Sequence, residues 1–283
     1  MIKFGPSGNS TAFQLAGNKT SEQSALWVKN LGLSAFEYSF GRGVSISDEK
    51  ALSIGKAFSD AGVEISVHAP YYVNLSNPDE EMIKKSFGYL IESAKKVVLM
   101  GGDRVIFHPA SQGKTSREQA FSLCIKRMKE LAEVIKENGL ESVKFCPETM
   151  GKQAQIGTIE EIAEMCAIAP FYIPCVDFGH VNARENGSLK SKQDYLDRLN
   201  YLIEKVGYEK MKNFHVHFSH IEYTLKGEVR HLTFEDEVFG PFFKPFAEAI
   251  IELNLHPIVI CESAGTQDID ALKMQQEYYE IKG

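Results

Sequence analysis

Residues 64–75 read EISVHAPYYVNL. The first part is a short run carrying Ile65 and Val67. It meets His68 and then Pro70, which cannot continue a strand ladder. This is a β-strand that ends on a histidine. Four other stretches repeat the plan: RVIFHPA (104–110) with His108, VKFCPETM (143–150) with Glu148, YIPCVDFGH (172–180) with Asp177 and His180, and PIVICESAG (257–265) with Glu262. A charged carboxylate at the end of a buried strand is costly unless something compensates it. One such residue is an accident. Five in succession imply that the strand ends converge on one polar, metal-filled site.

Working outward, short β-like runs alternate with amphipathic stretches through the whole chain. The pattern predicts eight strands: Ile2–Gly5, Ala35–Ser39, Glu64–His68, Arg104–His108, Ser142–Pro147, Tyr172–Asp177, Asn213–Phe218 and Pro257–Glu262. Several are nearly continuous in hydrophobicity, as strands buried on both faces of a parallel sheet are. Helices are predicted over Ser21–Leu31, Asp48–Ala61, Pro78–Met100, Ser116–Asn138, Thr158–Ala167, Lys190–Val206, Pro241–Leu253 and Asp268–Ile281. Ser47 before Asp48 is a favoured N-cap, and Thr158 with Glu161 forms a capping box. Eight β/α pairs predict an α/β fold, a (β/α)8 TIM barrel, as a single domain over 1–283. An open doubly wound sheet would want a GxGxxG turn after the first strand, and FGPSGNS is not one. In a barrel the C-terminal strand ends share one face, where active sites are built. The His and acidic residues fall at those ends.

Composition narrows the class. With 283 residues, 43% of them hydrophobic, the chain can bury a sizeable core. MIKFGPSGNS lacks the basic and apolar regions of a signal peptide. No apolar stretch approaches the roughly 18 residues of a membrane span. Cys124, Cys146, Cys166, Cys175 and Cys261 are scattered without a CxxC, which fits a reducing, cytoplasmic location. The net charge of −7 argues mildly against non-specific nucleic-acid binding but leaves room for a local basic groove. Nothing calls for a membrane or an obligate protein partner.

Of the histidines only His256, at a strand start, is expected on the opposite face. His68, His108, His180, His215, His217, His220 and His231 lie near or after strand ends. Imidazole with carboxylate suits zinc, or manganese where oxygen ligands dominate. Each residue also has a plain reading. A lone strand-end histidine is ordinarily a hydrogen-bonded core residue. Glu148 alone is a salt-bridge partner, Asp177 alone a helix cap, and His220 an exposed loop residue. His215 and His217 share a facing on a regular strand at different heights, and only the one nearer the C-terminal end reaches the site. Tyr71 and Tyr72, in the loop after His68, suit stacking on a base or ordinary rim packing. Lys152, Arg184, Lys226 and Arg230 lie in loops after strands, where they suit phosphate contacts or plain solvation.

These residues resemble the endonuclease IV family, the zinc-dependent abasic-site endonucleases. HAPYYVNL is similar to that family's HAPYxxNL, FHPAS to its HPG segment, ETMGKQAQIG to its ExxxGxxxxxG segment, VDFGH to its DxxH motif and CESAG to its strand-eight glutamate segment. The resemblance implies a (β/α)8 barrel holding three zinc ions, with manganese as the alternative metal. His68, His108 and Glu148 would hold the first ion. Glu148, Asp177, His217 and Glu262 would hold the second, and His180 and His231 the third. Glu148 would be the catalytic bridge, and Tyr71 and Tyr72 would contact substrate. The implied reaction hydrolyses the phosphodiester 5′ to an abasic site in double-stranded DNA, leaving a 3′-hydroxyl, as in base excision repair. Two segments depart from the family: HFSH at His217–His220 replaces HLND, and Val229-Arg230-His231 replaces DRH. Valine has no donor, so Glu228 or a water would have to replace the aspartate.

Two other functions fit the residues. A sugar isomerase or epimerase of the related xylose-isomerase-like barrels needs only Glu148, Asp177, His217 and Glu262 around one ion. A non-enzymatic module would bind damaged DNA without turnover, its third site lost at Val229.

Overall fold

The structure, a computed structural model, describes residues 1–283. Eight parallel strands form the barrel: β1 (Lys3–Pro6), β2 (Ala35–Ser39), β3 (Glu64–His68), β4 (Arg104–Phe107), β5 (Lys144–Pro147), β6 (Cys175–Asp177), β7 (His215–Phe218) and β8 (Ile258–Cys261). Their pairing runs as two four-stranded arcs, β2-β3-β4-β5 and β1-β8-β7-β6. Parallel bridges Ser7–Glu37 and Glu148–Cys175 close the arcs into a ring. Gly5 is required at the first joint, because a Cβ there would overlap the Ala35 carbonyl of β2.

The predicted strands and helices are all present, three with the predicted bounds and the others with ends within a few residues of them. The continuous sixth strand is only Cys175–Asp177, and Tyr172 ahead of it meets Phe145 of β5 in a separate parallel bridge. The helix caps are as read: Ser47 Oγ accepts from Lys50 N, and Thr158 and Glu161 form a reciprocal capping box. Apolar faces of the helices pack on the outside of the ring in one contiguous buried cluster. Inside the ring, the apolar fill is small: Ala35, Ile258 and Ile260 form their own cluster. Much of the remaining buried interior is polar, with Glu37, Arg104, His215 and His217 all nearly inaccessible. No helix is long and apolar enough to cross a membrane.

Three insertions dress the C-terminal face. Ala110–Ser111 pairs antiparallel with Gln155–Ile156, tying the loops after β4 and β5. A short helix, Phe178–Arg184, begins directly at the end of β6. After β7, Ile221–Thr224 and Gly227–His231 form a hairpin.

Candidate metal centre

Glu148 follows β5 by one residue, is 1% exposed, and stands at the centre of the strand-end cluster. Its two oxygens face different ways. Oε2 lies 3.2 Å from His68 Nε2 and 3.3 Å from His108 Nε2. Oε1 lies 3.2 Å from His217 Nδ1 and 3.2 Å from His180 Nδ1. Glu262, one residue past β8, approaches the same His217 Nδ1 at 3.5 Å.

Asp177 does two jobs. Its Oδ1 accepts from the backbone N–H of His180 at 2.7 Å, capping the Phe178–Arg184 helix. Its Oδ2 is buried without a hydrogen-bond partner. A buried, unpartnered carboxylate oxygen is costly unless a cation or donor meets it. The helix-cap reading holds at Oδ1, while Oδ2 is left available to a cation or donor.

The hairpin after β7 supplies the remaining donors. Its ladder pairs Glu222 with Arg230 and Tyr223 with Glu228, so Val229 is an extra residue, a β-bulge. The bulge resets the alternation of facing. Val229 turns out to solvent, while Glu228 joins His231 on the site side. Glu228 Oε2 lies 3.4 Å from His180 Nε2.

Three sets of donor atoms result, each within 4.8 Å of one another: His68, His108 and Glu148; Glu148, Asp177, His217 and Glu262; and His180, Glu228 and His231. Mixed imidazole and carboxylate donors, with Glu148 shared by two sets and Asp177 Oδ2 unpartnered, fit divalent metal ions. Orienting contacts support the fit. His68 Nδ1 is 2.8 Å from Ala69 O and His180 Nδ1 is 2.9 Å from Thr149 O. A carbonyl can only accept, so each ring keeps a proton on Nδ1 and turns Nε2 toward its set, as metal-ligating histidines do.

The electrostatics run the same way. Burial alone would lower the His68 pKa, but hydrogen bonding to Glu148 and its charge push it up to about 9. His180 behaves alike: burial lowers it, and Asp177 and Glu148 push it up to about 10. Burial would raise the Glu148 carboxyl, yet the charges of His217 and His108 hold it well below the usual range. Burial raises Asp177, with His180 opposing. This field attracts cations, whether protons or metal ions.

A further trio, Cys175, His215 and His217, lies one layer deeper. Burial holds the Cys175 thiol well above its usual range, so no thiolate is offered there. His215 Nε2 is engaged at 3.0 Å by Glu37.

Several expectations need correction. His220 is not an exposed loop residue. It is buried, with Nδ1 2.8 Å from Asp236 O and its ring stacked on Phe234. Arg184 is not free for phosphate, because its guanidinium donates to the carbonyls of Met150, Lys152, Gln153 and Gln155 and holds that loop. Arg230 is paired with Glu222 at 2.6 Å. Of the tyrosine pair, Tyr71 lines the cavity over the donors, and Tyr72 stands against it, ring centroids 4.5 Å apart, at the rim. Lys152 also lines that cavity of about 280 Å³. His217, rather than His215, joins the strand-end donors, and His256 lies on the opposite face beside Met1 and Lys3. Sequence reasoning missed Glu37, although a carboxylate inside the apolar run AFEYS was the same kind of signal.

The chain is similar to known proteins over most of its length. The profile of the xylose isomerase-like TIM barrel family matches residues 25–279. An uncharacterized protein of Methanocaldococcus jannaschii is 30% identical over 254 residues, 90% of each chain. Endonuclease 4 of Thermus thermophilus is 28% identical over 215 residues, 72% of this chain and 74% of that one. Among solved structures, endonuclease IV from Thermus thermophilus superposes with a TM-score of 0.72 at 19% identity over 99% of both chains. A D-psicose 3-epimerase superposes with a TM-score of 0.69 at 14% identity over 97% of both. The chain belongs to the xylose isomerase-like TIM barrel family, with endonuclease 4 proteins among its relatives.

Proposed function

We propose that this protein is a metal-dependent endonuclease that hydrolyses the phosphodiester 5′ to abasic sites in duplex DNA. The division of the Glu148 carboxylate between two donor sets carries the reading, because a bridging carboxylate with a third set beside it is what a multinuclear phosphodiesterase needs. Zinc, with manganese as the alternative, would be held by His68, His108, Glu148, Asp177, His217, Glu262, His180, Glu228 and His231. When bound, such ions activate water at neutral pH and neutralise charge on the phosphoryl group and leaving oxygen.

The chain's own residues do the rest. The hydrogen bonds of His68 to Ala69 O and His180 to Thr149 O fix those rings before substrate arrives. Tyr71 and Tyr72, about half exposed beside Arg42, offer aromatic faces to the DNA. Lys152 at the cavity wall offers a charge to a phosphate. An abasic nucleotide has no base to unpair, so it enters the cavity at low cost. The test is a duplex with one synthetic abasic site, an intact duplex and a chelator-treated sample beside it. A chelator-sensitive nick 5′ to the lesion with a 3′-hydroxyl is the expected result.

A second reading rests on the four-donor set Glu148, Asp177, His217 and Glu262, which alone suffices for one ion in a ketose epimerase. It leaves His68, His108, His180, Glu228 and His231 without a role. Epimerisation of a ketose with no nick in the abasic duplex would favour it.

A further inference from the structure

His68 and His180 are each oriented by a backbone carbonyl at the ring nitrogen turned away from their donor set. His217 has no such carbonyl partner. Its Nδ1 faces Glu148 and Glu262, while its Nε2 points deeper into the barrel, 3.1 Å from Glu37 Oε1. Glu37 sits in the middle of β2 and is wholly inaccessible. Its Oε2 accepts from His215 Nε2 at 3.0 Å and from Ser66 Oγ at 3.2 Å. The approach is close but is not a formed hydrogen bond: His217 Nε2 and Glu37 Oε1 are both buried without a hydrogen-bond partner, and the ring's hydrogen bond is at Nδ1, with Glu148 Oε1 at 3.2 Å.

A neutral imidazole carries one N–H, and a carboxylate can only accept. Both ring nitrogens of His217 face carboxylates, so a cation held among Glu148, Asp177 and Glu262 decides between them: it would take the Nδ1 lone pair, and the hydrogen then belongs on Nε2, 3.1 Å from Glu37 Oε1. We propose that Glu37 is the positioning residue of the second donor set: it stabilises the Nε2–H tautomer of His217, the one that ligates through Nδ1, and His215 and Ser66 hold Glu37 in register. His68 and His180 would thus ligate through Nε2, and His217 through the opposite nitrogen. The reason is geometric. His217 lies within β7 and projects across the barrel interior, so its near edge toward Glu148 is Nδ1 and its far edge meets β2. A buried carboxylate is a stronger acceptor than a carbonyl and also raises the basicity of the ligating nitrogen.

The inference rests on the metal-centre reading proposed above. The direct test is long-range ¹H–¹⁵N NMR on histidine-labelled, zinc-loaded protein. Nε2–H with a metal-bound Nδ1 at His217, and the reverse at His68 and His180, is expected. A metal-bound Nε2 at His217 overturns the proposal. The second measurement is metal binding by Glu37→Gln, which keeps the side-chain size but turns an amide toward one of the two rings. One ion should bind about 10–100-fold more weakly, the range for orienting partners of metal-ligating histidines. The d–d bands of the cobalt-substituted protein should change as well. Unchanged affinity and bands, in a variant that folds, overturn the role of Glu37. His217→Ala separates the two failures: if it also leaves every ion bound at wild-type affinity, the metal-centre reading falls. If it loses an ion and Glu37→Gln does not, only the Glu37 proposal falls.

Discussion

Gly151 lies behind the third donor set, and its substitution by alanine isolates that set from the others. Its backbone is not in the left-handed region, so alanine adds no conformational strain there. The strain is in the contacts. A Cβ at Gly151 would stand 2.7 Å from Glu228 Cβ, 2.9 Å from Glu228 Oε2 and 2.9 Å from His180 Cδ2, against 3.4 Å or more for an ordinary contact. Relief requires Glu228 to retreat by about 0.7 Å, the difference between 3.4 and 2.7 Å. A metal site tolerates ligand displacements of only about 0.2 Å. Glu228 cannot simply rotate away, because the clash is at Cβ, and Glu228 N is bonded to Gly151 O at 3.1 Å. Overpacking of this kind costs about 1–3 kcal/mol, so the barrel survives. Gly151→Ala should therefore lose the ion held by His180, Glu228 and His231, keep the two that share Glu148, and nick abasic DNA more slowly. The assay is elemental analysis of metal per chain after dialysis, with the melting temperature of the same samples. Full retention of the third ion by a folded Gly151→Ala protein would refute the assignment of Glu228.

The other predictions concern the shared carboxylate, the DNA face and pH. Glu148→Gln should reduce cleavage by more than about 100-fold, beyond the loss expected for orienting residues alone, while circular dichroism stays native; preserved cleavage would remove Glu148 from the bridge. Tyr72→Ala should weaken affinity for an abasic duplex by about tenfold, the low end of a ~1–3 kcal/mol stacking contribution; unchanged binding returns Tyr72 to rim packing. In the metal-free protein, the His68 pKa is raised from 6.5 to about 9, so its stabilisation is complete below 6.5 and is lost as pH rises through 9. At ~1.4 kcal/mol per pH unit that loss is about 3 kcal/mol, and bound metal, which replaces the proton, should suppress it. Chemical denaturation with and without chelator between pH 6 and 10 checks this; parallel decline of both samples contradicts it.

The barrel was legible because its strands are continuous apolar runs that stop at the donors, and because the helices carry explicit caps such as Ser47 and Thr158. The same regularity separated His217 from His215, two residues of like facing at different depths. Local regularity carries only part of the rest. Glu228, named from the sequence as one of two replacements for the aspartate missing at Val229, faces the site because of the bulge there, a feature set by the pairing of the hairpin and not by period-two alternation. His220 looked like a loop residue because its neighbours are polar, yet the chain folds Phe234 and Asp236 back over it. Arg184 looked like a phosphate ligand because nothing nearby in sequence reveals the four carbonyls it gathers from the loop after β5. Glu37 was hidden by its place in mid-strand, where its partners His215, His217 and Ser66 come from other strands.

The most direct test of a shared, multinuclear site is an anomalous difference map at the zinc edge from crystals of the zinc-loaded protein. Three peaks are expected, one on each side of the Glu148 carboxylate and one between His180, Glu228 and His231. A single peak among Glu148, Asp177, His217 and Glu262 would contradict a shared, multinuclear site.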